Sequence, residues 1–319
     1  PMTLHDLRSD RVVEREPVRG SYRGYQIVTM PPPSSGGAHL VQMLNILERW
    51  PLRDWGPNSA QTVHHMAEAM KLAYADRAEY LGDPAFVSVP LAGLTSKKHA
   101  DTLAQHIRPD SARSAQTIKP GQPLPFESDQ TTHYSVVDQA GNMVAVTYTL
   151  NTNFGSGIVA AGTGILLNNE MDDFSAKPGV PNAYGLVGGA ANAVAPGKRP
   201  LSSMTPTLVL KDQQPWLVTG SPGGARIITT VLQQIVNGID FGMNPAEAAA
   251  AVRFHHQWMP DELRVEKGFS PDTLHLLRQK GQNVVVKPAM GRTQTIQVQG
   301  QALWGYSDPR NPDGLTLGY

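Results

Sequence analysis

The sequence predicts a globular α/β protein, and three observations favour this class. Apolar residues recur at helical spacing in the first third of the 319-residue chain, whereas alternating strand patterns dominate after residue 131. The 30 glycines and 26 prolines are typical of a chain with many loops between such elements. Hydrophobic residues make up 40% of the chain, so one large domain or two ordinary ones could bury a sizeable core.

The composition limits the classes of partner. The 27 basic side chains equal the 27 acidic ones, so the chain has no bulk electrostatic preference for nucleic acid or an anionic membrane. We expect no membrane span, because no run approaches the roughly eighteen apolar residues that a span needs. The first residues also lack the pattern of a signal peptide. The chain contains no cysteine, which excludes disulfides, thiolate nucleophiles and Cys-ligated zinc.

Two helices are expected before residue 82. The segment PPPSSGG at 31–37 predicts a loop that leads into a helix over 39–50. A second helix is predicted over 59–81, with Ser59 or Asn58 as N-cap and Gly82-Asp83-Pro84 as its stop. His64 and Glu68 would share one face of this helix, but two ligands without a third favour a solvated face over a metal site.

Strands are expected after a linker. From 107 to 130 helical periodicity disappears and four prolines occur, which predicts an exposed linker. Strand patterns follow at 132–138, 143–150, 164–168, 207–211 and 216–220. A three-residue loop between Asp138 and Asn142 would place Thr132 opposite Tyr148, and Thr131 opposite Thr149. The two threonines could serve function, or simply reflect the strand propensity of threonine.

Two further segments carry candidate chemistry. Residues 218–226, VTGSPGGAR, lie between a strand and a helix expected through 227–236, so their backbone amides could bind an anion. A nucleotide-binding loop is disfavoured because the GxxxxGK[ST] spacing and its lysine are missing. Residues 168–174, NNEMDDF, hold three carboxylates within four positions, without the spaced ligands and glycine of an EF-hand calcium loop.

Several of these segments together resemble the γ-glutamyltranspeptidase family of N-terminal-nucleophile hydrolases. The resemblance lies in QTTHY at 130–134, YTLNTNFGSG at 148–157, LLNNEMDDFSAKPGVPNAYG at 166–185, KRPLSSMTPT at 198–207, TGSPGGARI at 219–227 and FHHQW at 254–258. It extends over nearly the whole sequence. It implies a four-layer αββα fold and an autocatalytic cut between Gln130 and Thr131. Residues 1–130 would then be the C-terminal part of a large subunit, and 131–319 the small, catalytic subunit of a heterodimer.

The resemblance also implies a threonine nucleophile. Thr131 would attack its own preceding carbonyl during self-cleavage and a substrate amide afterwards. Elementary chemistry agrees, because cleavage frees an α-amine whose reference pKa of about 7.7–8.0 suits a general base near pH 7. Thr149 matches the second active-site threonine, which would orient Thr131. Gly223 and Gly224 match the oxyanion hole.

Substrate contacts follow from the same resemblance. Glu170, Asp173 and Asn151 are expected at the α-amino group of a γ-glutamyl donor, and Ser202 and Ser203 at its α-carboxylate. Tyr184, in the segment 177–185, would close a lid over the substrate. The expected reaction passes a γ-glutamyl group, through a threonine ester, from donors such as glutathione or glutamine to an amino acid, a peptide or water. No cofactor and no metal are expected, and His255 and His256 are expected to be structural.

Two alternatives stay open. An acylase of the same fold, such as a glutaryl-cephalosporin acylase, is disfavoured by Glu170 and Asp173, because a glutaryl group has no amine to recognise. The chain could also be an uncleaved, inactive fragment or binding scaffold. The family further implies a periplasmic or secreted location and, as a partner, the remaining N-terminal part of the large subunit, which would supply an arginine that clamps the α-carboxylate.

Overall fold

The structure is a computed structural model that describes residues 3–118, 132–175, 177, 179–182 and 185–318. Its helices are α1 (Leu4–Ser9), α2 (Gly36–Leu47), α3 (Leu52–Trp55), α4 (Ala60–Tyr80), α5 (Leu91–Leu94), α6 (Lys97–Ala104), α7 (Ile227–Ile239), α8 (Pro245–Ala250) and α9 (Pro271–Gln279). Its strands are β1 (Val18–Tyr22), β2 (Tyr25–Thr29), β3 (Thr132–Val137), β4 (Met143–Tyr148), β5 (Thr207–Lys211), β6 (Gln214–Gly220), β7 (Phe254–His255), β8 (Leu263–Val265), β9 (Val284–Val286), β10 (Gln294–Gln299) and β11 (Ala302–Ser307).

A six-stranded antiparallel sheet forms the centre of the molecule, in the order β1-β2-β5-β6-β10-β11. Strands β1 and β2 come from the first third of the chain, and the other four strands come from its second half. β2 pairs with β5 along its whole length, from Tyr25 opposite Lys211 to Thr29 opposite Thr207. The two segments expected to become separate subunits therefore share one sheet.

Helices cover one face of this sheet. Every residue of α2 is buried, because the helix contacts β1 and β2 on one side and α4 and α7 on the others. The Ser59 side chain caps α4 by accepting a hydrogen bond from the Thr62 amide, as the sequence predicted. Buried side chains such as Leu40 and Leu44 each contribute about 1.5–3 kcal/mol by leaving water.

The hairpin β3-β4 lies on the opposite face of the sheet, across β6 and β10. On its inner side the Ser135 hydroxyl donates to the Gln294 carbonyl over 2.9 Å. The His133 ring lies against Gly220, where a Cβ atom would overlap the ring. Helices, sheet and hairpin thus follow one another as layers. The predicted α/β class is confirmed, and this order agrees with the expected αββα layering.

The structure corrects three expectations about local structure. Residues 164–168 do not form a strand but contribute only an isolated bridge between Val159 and Leu166. The predicted linker is wrong in its described part, 107–118: Ile118 is buried, and Trp258 Nε1 donates to the carbonyl oxygens of Ala115 and Ile118 over 3.0 and 3.1 Å. Its remainder, 119–130, lies outside the described residues.

The third correction concerns His64 and Glu68, which do not form a solvated face. Both are buried, and the Gln282 side-chain amide lies 3.0 Å from His64 Nδ1 and from Glu68 Oε1. Lys71 Nζ donates to Glu68 over 2.8 Å. The pair belongs to a buried polar network that joins α4 to the residues after α9.

Candidate active site

Three of the predicted site residues lie outside the described residues: Gln130, Thr131 and Tyr184. The other predicted positions come from four separate segments of the chain. Those segments are the end of β4, the acidic turn after residue 169, the loop before β5 and the loop after β6.

The hairpin brings Thr149 to the end of β4. Thr132 pairs with Tyr148, so the register predicted from the sequence is confirmed for the described residues. Thr149 Oγ1 accepts a hydrogen bond from the Asn151 amide over 2.7 Å. Asn151 has a φ of 74°, in the left-handed region that asparagine tolerates better than most residues. Its Nδ2 donates to the Asn169 carbonyl over 3.1 Å, which ties the hairpin end to the acidic turn.

The acidic turn runs from Glu170 to Asp173 as one 3₁₀ turn. Asn182 Nδ2 donates to Asp173 Oδ1 over 3.3 Å, and Asn192 Nδ2 donates to the Asp173 carbonyl over 2.7 Å. Burial of its carboxyl group raises the pKa of Asp173 well above the usual value, and the charge of Glu170 raises it further. Burial also raises the pKa of Glu170. A cation placed between these carboxyl groups would favour their ionised forms.

The loop after β6 supplies the glycine pair. Gly223 and Gly224 have φ values of 137° and 52°, which favour glycine. They lead through a short 3₁₀ turn at Gly224–Arg226 into α7. The hydroxyl of Tyr74 donates to the Ala225 carbonyl, and this hydrogen bond anchors the loop to α4.

The serine pair rests on the PPPSSGG loop. The Ser35 amide donates to the Ser202 carbonyl and the Ser202 amide donates to the Pro33 carbonyl, each over 2.9 Å. Ser202 Oγ accepts from the Met204 amide over 3.1 Å. Glycine is needed at Gly36, because a Cβ atom there would overlap the Met204 carbonyl. The loop that the sequence identified only as a helix entry therefore holds the serines in place.

One small pocket collects most of these groups. It is lined by Thr149, Asn151, Asp173, Ser202, Ser203, Met204, Gly224 and Ile227. Glu170 does not line it but interacts with Asp173 through their side chains. Gly223 lines a neighbouring cavity with Gly291 and Arg292. The structure thus brings together six of the predicted positions, which include an acidic residue and three residues with hydroxyl groups.

A larger cavity elsewhere is a weaker candidate. It has a volume of about 600 Å³ and is lined by residues that include Glu266, Lys287 and Arg310. Arg310 is already paired with Glu266, at 2.5 Å, and with Asp308, at 3.2 Å. No lining residue of this cavity is a serine or a threonine. It therefore lacks a hydroxyl nucleophile.

Arg77, one helical turn after Tyr74 on α4, contacts one of the predicted serines and was not itself predicted as a site residue. Its Nε donates to Ser35 Oγ over 2.8 Å, and its Nη2 donates to Ser203 Oγ over 3.2 Å. The sequence offered one signal, since Arg77 occupies a position in the apolar spacing of α4. A charged side chain on a buried helix face requires polar partners.

The buried histidines near the site have structural partners. His255 Nδ1 lies 2.7 Å from Thr229 Oγ1, whereas His256 Nε2 lies 3.4 Å from Asp261. The two rings therefore face different partners, as expected for neighbours. Burial lowers the pKa of His133 to about 4, so this ring is neutral at pH 7. Its Nδ1 lies 2.9 Å from Thr147 Oγ1 on the inner face of the hairpin.

Within the described ranges, no group of three or more His, Asp or Glu side chains is placed to hold a metal ion. None of the described helices combines the length and the apolar character needed to cross a bilayer.

Comparison with known proteins agrees with the geometry. The sequence profile described as gamma-glutamyltranspeptidase matches residues 1–317. The chain belongs to this family. The glutathione hydrolase proenzyme of Escherichia coli (strain K12) is 64% identical over 319 residues, covering 100% of this chain and 55% of that protein. The chain thus spans about half the length of this relative.

Solved structures support the fold of this γ-glutamyltranspeptidase family chain. A mutant γ-glutamyltranspeptidase of Helicobacter pylori is 57% identical and has a TM-score of 0.56, covering 56% of this chain and 100% of that one. A cephalosporin acylase from Bacillus halodurans is 30% identical with a TM-score of 0.82, covering 97% of this chain and 54% of that one. The N-terminal-nucleophile hydrolase fold implied by the sequence is confirmed.

Proposed function

We propose that this chain forms the catalytic part of a γ-glutamyltransferase that also acts as a glutathione hydrolase. One observation carries the proposal: a single pocket joins the Asp173 carboxyl group to the hydroxyl groups of Ser202 and Ser203. An α-amino acid head group presents an ammonium and a carboxylate on the same carbon, so it needs an anionic and a hydrogen-bond-donating wall side by side. Family membership supports the same substrate class.

The proposed chemistry is acyl transfer. Thr131 Oγ attacks the γ-carbonyl of the donor while the Thr131 α-amine takes the hydroxyl proton, and Thr149 orients the nucleophile. The Gly223 and Gly224 amides stabilise the tetrahedral oxyanion. The Thr131 α-ammonium group then passes the proton to the leaving amine. This amine departs and leaves a γ-glutamyl-threonine ester. Water or the amine of an amino acid or peptide attacks this ester, releasing the product and restoring Thr131.

Recognition of the donor uses the two walls of the pocket. Asp173, with Glu170 behind it and Asn151 beside it, binds the α-ammonium group. Ser202 and Ser203 donate to the α-carboxylate, and Tyr184 closes over the donor. Glutathione and glutamine are the proposed donors. The remaining part of the large subunit and a periplasmic or secreted location belong to the same proposal.

The alternative, an acylase of the same fold, is favoured by the likeness to the cephalosporin acylase. A glutaryl side chain carries a carboxylate but no amine, so it would leave the Asp173 carboxyl group without a cationic partner. The raised pKa of that group reflects its burial near Glu170, an arrangement that a cationic ligand would relieve. This charge pattern supports a γ-glutamyl donor over a glutaryl one.

Self-cleavage provides the test. We expect Thr131→Ala, made in the full-length precursor, to remain a single chain by intact-mass measurement, because it removes the attacking hydroxyl. Thr132→Ala is the matched control, since Thr132 is the adjacent threonine and its exposed side chain points to the outer face of the hairpin. This control should cleave normally. Cleavage of the Thr131→Ala precursor before residue 131 would contradict the assignment of the nucleophile.

A further inference from the structure

Arg77 is a buried cation without an anionic partner in the described part of the chain. Only 4% of the residue is exposed, and no described carboxylate lies within ion-pair distance of its guanidinium group. Its two hydrogen bonds go to neutral hydroxyl oxygens, those of Ser35 and Ser203. Burying a charge in this way is costly unless an opposite charge completes the site. The position therefore needs an explanation beyond packing.

The hydrogen bonds of the two serines indicate where that opposite charge would lie. Ser203 Oγ accepts a hydrogen bond from Arg77, and a guanidinium group cannot accept one in return, so the Ser203 proton is directed elsewhere. Ser202 Oγ accepts from the Met204 amide and is in the same situation. No described group accepts a hydrogen bond from either hydroxyl, and both serines line the pocket. Two hydroxyl protons are thus available to one anionic group in that pocket.

Groups of both charge signs also lie at this pocket. Asp173 lines it and interacts with Glu170, whereas Arg77 donates to Ser203, another lining residue. Arg77 and Asp173 interact electrostatically although they make no direct contact, and the Arg77 charge opposes the rise in the pKa of Asp173. An acidic side chain and a hydroxyl backed by a cation at one pocket suit the ammonium and the carboxylate of an α-amino acid.

We infer that Arg77 is a positioning residue for the α-carboxylate of the donor, acting through Ser203 rather than by touching the substrate. Its guanidinium group fixes the Ser203 hydroxyl with the proton directed to the pocket and polarises that O–H bond. Its charge also offsets the carboxylate that the serines alone cannot neutralise. The inference rests on the proposed function. It differs from the direct arginine clamp that the family resemblance places outside this chain.

A pair of substrates separates this role from a purely structural one. γ-Glutamyl anilide carries both head groups, whereas γ-aminobutyryl anilide keeps the amine and lacks the α-carboxylate. In the full-length enzyme, with rates normalised to the cleaved fraction, we expect Arg77→Gln to lower kcat/KM for γ-glutamyl anilide about tenfold or more, mainly through KM. For γ-aminobutyryl anilide we expect a change of less than about twofold.

Two further variants sharpen the experiment. Arg77→Lys keeps the charge but not the two-pronged geometry, so it should recover part of the loss in KM. Arg49→Gln removes a half-exposed arginine that is paired with Asp101, and it should leave kcat/KM unchanged for both substrates. L-Glutamate and 4-aminobutanoate inhibition constants provide a second readout, in which only the glutamate constant should rise for Arg77→Gln.

Equal losses for both anilides, or an unchanged glutamate inhibition constant, would overturn the role of Arg77. If Arg77→Gln fails to fold, the Arg77→Lys variant decides, because a shift confined to carboxylate-bearing ligands still supports the inference and a uniform shift refutes it. Failure of the proposed function would look different, since the unmodified enzyme would then not turn over γ-glutamyl anilide.

Discussion

Ionisation of Asp173 is disfavoured by the surroundings of its carboxyl group. Its carboxyl group is desolvated although the residue as a whole is only half-buried, and the neighbouring Glu170 adds repulsion. The pair therefore retains protons at a pH where exposed carboxylates would have lost them. A bound ammonium group reverses this balance. The α-ammonium group that we propose as its ligand would therefore relieve an unfavourable interaction.

The raised pKa of Asp173 should make the stability of the protein depend on pH. A carboxyl group whose folded pKa is raised stabilises the fold fully below its unfolded pKa, and this contribution is lost as pH rises through the folded pKa. We therefore expect Asp173→Asn, which cannot ionise, to have a higher Tm than the unmodified protein at pH 8, with the difference shrinking toward pH 4. Thermal unfolding in the full-length protein measures it. Asp172→Asn, an exposed neighbour, is the control and should not reproduce the trend.

The same substitution should weaken donor recognition. Asp173→Asn keeps the size of the side chain but removes the charge that we propose pairs with the α-ammonium, a contact worth about 1.5–3 kcal/mol. Affinity for γ-glutamyl compounds should fall about tenfold to a hundredfold, whereas glutaryl analogues, which lack the amine, should lose much less. Inhibition constants for both classes provide the comparison. Equal losses would favour the acylase interpretation.

The hairpin β3-β4 follows the proposed nucleophile directly in the chain, and its contact with the sheet is close. We expect Gly220→Ala to destabilise the protein by about 1–3 kcal/mol, because its Cβ atom would overlap the His133 ring and displace β3. Self-cleavage should slow as well, since β3 begins one residue after Thr131. Gly93→Ala is the control, because a Cβ atom there meets nothing within 4 Å. Unchanged stability and cleavage in Gly220→Ala would show that the hairpin position is not critical.

Elements set by local chemistry could be predicted from the sequence, and those set by distant partners could not. The hairpin register follows from a short loop, and the start of α4 follows from the Ser59 cap. The 107–118 segment is held instead by Trp258, about 140 residues away, and Arg77 gains its role from Ser203. Polar composition and proline content give no information about such contacts. The proposed site residues were predicted from motifs that resemble those of a family, rather than from the fold.

At the scale of the whole molecule, the central sheet joins both sides of the proposed cleavage point. β2 pairs with β5 through antiparallel backbone hydrogen bonds, so the two products of cleavage would remain hydrogen-bonded to each other. We expect the cleaved full-length protein to run as one species in size-exclusion chromatography and to separate into two chains only in denaturant. Dissociation under native conditions would contradict the shared sheet.

The outer face of the hairpin exposes several apolar side chains. Tyr134, Val136, Val144 and Tyr148 are exposed by 52%, 47%, 49% and 64%, and Val136 lies directly opposite Val144. Contiguous apolar groups on a sheet face are normally covered. Because the chain spans 55% of the length of the E. coli relative, we propose that the rest of the protein covers this face.

Residues 1–319 expressed alone should therefore self-associate and have little transferase activity, and the full-length protein should not. In the isolated chain, Val136→Thr with Val144→Thr should reduce the association measured by sedimentation velocity, because the two substitutions make the exposed face more polar while keeping β-branched strand formers. Val12→Thr, at a position 97% exposed but outside the hairpin, is the control and should leave association unchanged.

In the full-length protein the paired substitution should instead lower stability, since it would place hydroxyl groups in a covered interface. A monomeric isolated chain with kcat/KM equal to that of the full-length enzyme would show that this face needs no cover and that residues 1–319 suffice for catalysis.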